Sequence, residues 1–226
     1  MLLNEEKIRA IIREALNAIG GDQSYSSSRS GTVNNKEIES LGALEFKSVS
    51  NDQAATIAKS EFATWKEGKL KEKEKEAYPL LKKYWDGLGD WDESRWKPTE
   101  TAWSAAFISF VMKASGDDFY NSAAHTTYAT KALKNRQKLT ADPKSLSGIQ
   151  HVLFLKGEAE PVIGDVMFYV REGTLEGWMA GGGGRAKSHT DIYVGGNKGI
   201  GGNISDSVSM TTAMSKHTAI IKKINI

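Results

Sequence analysis

Apolar residues recur at helical spacing through the first two thirds of the chain and at strand spacing through the last third. Ile8, Ile11, Ile12, Ala15, Leu16 and Ile19 predict an amphipathic helix over 2–19, with Asn4 as its cap and Gly20-Gly21 as its stop. Residues 20–50 are rich in Ser, Gly and Asn and read as a flexible linker. Helical periodicity returns over 52–67, where Ala54, Ala58, Phe62 and Trp65 share a face. Residues 69–77 are nearly all Lys and Glu and read as a solvated turn or two. Pro79 restarts a helix through Leu80, Leu81, Tyr84 and Trp85, which Gly87 and Gly89 end. A buried helix over 99–115, capped by Thr101, and another over 122–138 follow. From residue 150 the pattern changes to short β-rich runs at 151–155, 165–170, 187–194, 204–210 and 218–226. Helices first and strands second predict an α+β fold, with N-terminal helices packed on a C-terminal antiparallel sheet. The expected division is an N-terminal helix and linker over 1–50 and a main domain over 51–226.

Composition narrows the chemistry. The chain has 226 residues, 39% hydrophobic and 26% charged, and can bury a full core. A net charge of +2 argues against a dedicated nucleic-acid binder. The absence of cysteine removes disulfides, thiolate catalysis and cysteine-based zinc sites. His125, His151, His189 and His217 are widely spaced and show no metal-binding repeat, so neither a metal nor a cofactor is expected. No apolar run approaches the length of a membrane span. The charged start of the chain does not read as a secretory signal, so cytoplasmic residence in the producer is expected, with any action outside reached by another export route.

Ser104 lies in the first turn of the predicted 99–115 helix, where unpaired N–H groups can activate a nucleophile and hold an oxyanion. A serine there is also a common packing residue. His189 sits in Ser188-His189-Thr190-Asp191-Ile192, where strand alternation places His189, Asp191 and Tyr193 on one face. His189 is a candidate general base or a hydrogen-bonded core histidine. Asn203, in Gly201-Gly202-Asn203, is the candidate orienting residue, and Asp191 competes for that role. His125 either lines the cleft or caps the helix that starts near Ser122. Gly181–Gly184 fail as a phosphate loop, since Ala186 precedes Lys187-Ser188 and a strand follows. They read as a mobile loop beside the cleft. Trp85, Trp91, Trp96 and Trp103 are candidates for an aromatic substrate wall, although tryptophan is more often core.

Several segments together resemble a bacterial domain-of-unknown-function family, number 2272, related to CHAP-type and other papain-like cell-wall hydrolases. They are Glu61-Phe62-Ala63-Thr64-Trp65, Tyr84-Trp85, Trp103-Ser104-Ala105-Ala106-Phe107-Ile108-Ser109 and Ser122-Ala123-Ala124-His125-Thr126-Thr127-Tyr128. Gly164-Asp165 with Arg171, then Ser188–Ile192, then Gly201-Gly202-Asn203 complete the order. CHAP-type amidases look similar around the helix, with Trp-Cys-Ala-Ala-Phe in place of Trp-Ser-Ala-Ala-Phe.

The resemblance implies a papain-like α+β fold and a hydrolase of amide bonds in peptidoglycan, either amidase or endopeptidase. Ser104 would be its nucleophile and His189 its base, with Asn203 or Asp191 orienting. Trp103, His125, Tyr128, Arg171 and Tyr193 would contact substrate. Serine needs stronger activation than cysteine. An antibacterial effector exported to the periplasm or cell wall is expected, with an immunity protein or a secretion-apparatus carrier as partner. The alternatives are a non-catalytic domain of the same fold that binds cell-wall peptide, and a serine esterase or acyltransferase.

Overall fold

A computed structural model describes residues 46–89, 101–212 and 216–226. The chain divides into two compact units, Met1–Thr32 and Val33–Ile226, and all described residues lie in the second. The helix expected over 2–19, most of the linker, and Trp91 and Trp96 lie outside the described residues.

The helices come first. Helix α1 (Asp52–Thr64) is capped by Asn51, whose Oδ1 accepts from the Ala54 N–H at 3.0 Å. Helix α2 (Tyr78–Asp86) has Pro79 in its first turn, where the missing N–H costs nothing. Helix α3 (Ser104–Ala114) and helix α4 (His125–Ala141) follow. Strands β1 (Lys47–Ser48), β2 (Ile149–Leu155), β3 (Val166–Val170), β4 (Ser188–Gly195), β5 (Lys198–Gly201), β6 (Ser209–Thr212) and β7 (Ala219–Asn225) form one antiparallel sheet. Its order runs β2-β7-β3-β4-β5-β6, with β1 in line with β3 beside β7. The fold is α+β, as the periodicity predicts. The sheet's first strand, β1, starts ahead of the boundary expected at residue 50.

Three readings of the sequence change. Helix α3 begins at Ser104, with Trp103 at the cap position and no side chain capping it, so Thr101 is not the cap. The run after Gly181, read as a mobile loop, makes hydrogen bonds to Thr130 and Trp178. A short helix α5 (Leu175–Ala180) precedes it, capped by Thr174, and the Gly184 N–H donates to Thr130 Oγ1 at 3.1 Å. Residues 204–208 lie in turns, so the strand expected over 204–210 starts only at Ser209 as β6, and the sequence reading lacks β5, which follows β4 through a Gly195-Gly196-Asn197 turn.

Cross-strand partners share a face, and the sheet uses both. One face carries Val166, Phe168, Ile192, Val194, Ile200 and Ile221 into the main core beneath the helices. The other carries Met167, Tyr193 and Ile220 in a small separate cluster. Lys222 Nζ and Asp165 Oδ2 meet at 2.6 Å, with both side chains almost fully buried. Burial pushes the Asp165 carboxyl up to about 6, and the attraction of Lys222 offsets only part of that. Such a pair adds little net stability, but breaking it strands a buried charge. Lys222→Ala is therefore expected to cost about 3–5 kcal/mol in urea unfolding. Lys222→Met combined with Asp165→Leu recovers part of that loss, because only the Val162 N–H loses its acceptor.

Candidate active site

The residue before Ser104 sets its position. Trp103 is fully buried and packs near-parallel to Trp65, at a centroid distance of 4.9 Å, and to Tyr84, at 5.9 Å, in a three-ring cluster. Its indole N–H donates to Glu72 Oε2 at 2.8 Å. Glu72 comes from the charged run read as solvated, but it is buried. The Trp65 indole N–H donates to the Tyr84 hydroxyl at 2.8 Å, and that hydroxyl donates to Glu61 Oε2 at 2.6 Å. Burial, reinforced by the Glu61 charge, holds the Tyr84 phenol well above its usual pKa, so it stays a donor. Trp85 and Trp103 are therefore core residues, not a substrate wall.

Ser104 opens helix α3. Its Oγ lies 2.6 Å from His125 Nε2, at the start of helix α4. On the far side of the ring, His125 Nδ1 lies 2.6 Å from the Tyr128 hydroxyl and 2.7 Å from Thr190 Oγ1. Burial, then the charges of His189 and Arg171, push the His125 pKa well below its ordinary value against the pull of Asp191. The imidazole is neutral at pH 7 and has one N–H. With Nε2 accepting from Ser104, that N–H sits on Nδ1 and donates to Thr190 or Tyr128. The uncapped first turn of helix α3 lies beside this pair, with its N–H groups not bonded within the helix.

His189 does not hydrogen-bond Ser104. Strand alternation places Thr190 on the helix face and His189 with Asp191 on the opposite face. His189 Nε2 pairs with Asp191 Oδ1 at 3.1 Å, while its buried Nδ1 has no hydrogen-bond partner among the described residues. Asp191 Oδ2 also accepts from Thr211 Oγ1 at 2.8 Å and lies 3.2 Å from His217 Nε2. Burial alone would raise the Asp191 carboxyl, but hydrogen bonds from the two histidines and their charge hold it well below the usual range. The His189 and His125 rings are 5.4 Å apart, so the two groups adjoin at the end of β4.

Asn203 does not reach the imidazole in the described contacts; Asp191 occupies that place. Asn203 has φ +56° in a turn that lines a cleft of about 280 Å³ together with Tyr169, Arg171, His189 and Asp191. Tyr128 is buried behind His125. Tyr193 packs with Met167 and Ile220, away from that cleft.

Gly201 and Gly202 read as a turn in sequence, and neither has a positive φ. They are required for space. A Cβ on Gly201 would fall 1.9 Å from Asp191 Oδ1 and 3.0 Å from His189 Nε2. One on Gly202 would fall 2.6 Å from Phe107 Cβ and 2.8 Å from the Trp103 ring. His217, Thr211 and Thr190 were not legible as site residues. Thr190 and Thr211 are positioned by strand pairing, and His217 by the segment that leads into β7, all across long sequence separations.

The class is thus an α+β protein with a serine–histidine pair at a helix N-terminus. The family described as "uncharacterized protein conserved in bacteria", domain of unknown function 2272, matches residues 80–224, and the chain belongs to it. Glu61–Trp65 precede that stretch, although Trp65 packs on Trp103 and Glu61 holds Tyr84 beside it. A search of curated proteins finds no match to the chain.

A histidine whose folded pKa is depressed stabilises the fold above its unfolded pKa, and that contribution is lost as pH falls. Stability from denaturant unfolding is therefore expected to decline as pH drops below about 6.5. His125→Gln should flatten that limb while lowering stability at pH 8.

Proposed function

We propose that the protein is a hydrolase that acts by acyl transfer through Ser104, with a papain-like arrangement and amide bonds of cell-wall peptides as substrate. The observation that carries this reading is the 2.6 Å contact between Ser104 Oγ and His125 Nε2 at an uncapped helix N-terminus. In this scheme Ser104 Oγ attacks the carbonyl carbon while its proton passes to His125 Nε2. First-turn N–H groups of helix α3 receive the oxyanion. Collapse of the tetrahedral intermediate expels the amine, which takes the proton from His125. Water then repeats the sequence on the acyl-serine and returns the proton to Ser104. Thr190 and Tyr128 hold the tautomer that lets Nε2 accept, the role the sequence suggests for Asn203. The base is His125, and His189 with Asp191 lies beside it.

Peptidoglycan as substrate, an exported antibacterial role and an immunity or carrier partner belong to the same proposal, and rest on the resemblance of Trp103–Phe107 to the nucleophile helix of CHAP-type amidases. No described helix is long and apolar enough to cross a membrane. A second reading, a non-catalytic domain that binds cell-wall peptide, is favoured by burial. Ser104 is only 8% exposed, and the Arg171 cleft opens on the His189 face of the sheet.

Incubation with peptidoglycan, with product masses as the readout, separates the two. Wild type is expected to release fragments, and Ser104→Ala and His125→Ala are each expected to lower the rate by about a thousandfold or more. His189→Ala should cost less. Ser104→Cys should retain cleavage, because the helix terminus favours a thiolate. Unchanged cleavage by Ser104→Ala contradicts the mechanism. Binding without cleavage by wild type favours the second reading.

A further inference from the structure

The cleft on the His189 face has chemistry that the Ser104–His125 pair does not use. Arg171 and Lys216 line it, and neither is ion-paired among the described residues. Three other exposed lysines do pair with carboxylates: Lys66 with Glu76, Lys82 with Asp86 and Lys187 with Glu172. The Arg171 guanidinium lies over the Tyr169 ring, 6.0 Å from its centroid, which restrains it while leaving its N–H fork available. Among the described residues the one carboxylate lining the cleft, Asp191, is consumed: Oδ1 by His189, Oδ2 by Thr211 and His217. His189 is 2% exposed, lines the cleft, and keeps a buried Nδ1 with no partner among the described residues. The cavity, about 280 Å³, suits one small acidic group rather than a whole peptide.

From this we infer that the cleft is a carboxylate-binding subsite. Arg171 grips a free carboxylate of the ligand in its N–H fork and Lys216 adds charge at the mouth, with His189 at the floor. The identity of the ligand as a cell-wall peptide rests on the function proposed above; the preference for an acid over its amide does not. An enzyme with this subsite selects peptides that carry a free acid near the reacting amide, and amidation of that acid protects them.

Calorimetry tests this with the Ser104→Ala protein, which removes turnover from the measurement. The probes are a synthetic stem tetrapeptide with free carboxylates and the same peptide with every carboxylate converted to the amide. The acid form is expected to bind about tenfold or more tightly than the amide at low salt, with the preference shrinking as salt rises. Arg171→Gln should abolish the preference and Lys216→Gln should reduce it. Arg171 is exposed, so its replacement leaves the fold intact. Equal binding of acid and amide, binding of neither, or a preference that survives Arg171→Gln overturns the subsite. If the acid is preferred but wild type cleaves no peptide, the subsite stands and the hydrolase reading falls.

Discussion

The candidate site depends on how Trp103 is held. Its ring packs against those of Trp65 and Tyr84, its N–H is satisfied by Glu72, and Gly202 lies so close that no side chain fits there. Truncating a tryptophan packed this way costs about 3–5 kcal/mol, a large share of a typical domain's stability. The constraint fixes where helix α3 starts. With Trp103 pinned as the cap residue, Ser104 has one place to be, and that place is beside His125. The bracing residues Glu61, Trp65, Glu72 and Tyr84 come from the helices and turns ahead of helix α3. The chain segment that contributes nothing chemical is thus the one that aims the serine.

The sheet then distributes the histidines. Because successive strand residues alternate, β4 can give helix α4 only every second side chain. Thr190 is the one that meets it, and it orients His125. His189 and Asp191 fall on the other face, where Thr211 and His217 complete a closed polar cluster. One strand therefore serves two neighbouring groups: a neutral serine–histidine pair on the helix side and a hydrogen-bonded histidine–carboxylate pair in the cleft. The short distance between the His125 and His189 rings couples them electrostatically, which is part of why His125 stays neutral.

The long, strongly patterned elements were legible in the sequence. Ala54, Ala58 and Trp65 predict the buried side of helix α1, and the change of period near residue 150 predicts the sheet. What escaped was short or non-local. Helix α5 is too brief to show periodicity, and β5, at Lys198–Gly201, is half glycine. Glu72 looks solvated because its neighbours are, and only the fold brings Trp103 to it. At the site, Ser104 stands out through its place at a helix start. Its partner does not, because both His125 and His189 lie near it in the fold and the choice depends on which strand face meets helix α4. Asn203 was attractive as a third member because Gly-Gly-Asn is a strong local signal. Alternation along β4 gives that place to Asp191, the competing candidate, two residues from the histidine it holds.

The central claim is that His125 activates Ser104. A fluorophosphonate probe reacts with an activated serine and leaves a covalent mark, so the claim can be read without knowing the substrate. Intact-mass spectrometry after labelling, with peptide mapping of the adduct, is the most direct measurement. The account predicts one adduct on Ser104 in the folded wild type, and a labelling rate at least about a hundredfold lower in folded His125→Ala. A folded wild-type protein that takes no label at Ser104, or a His125→Ala variant that labels as fast, would contradict it.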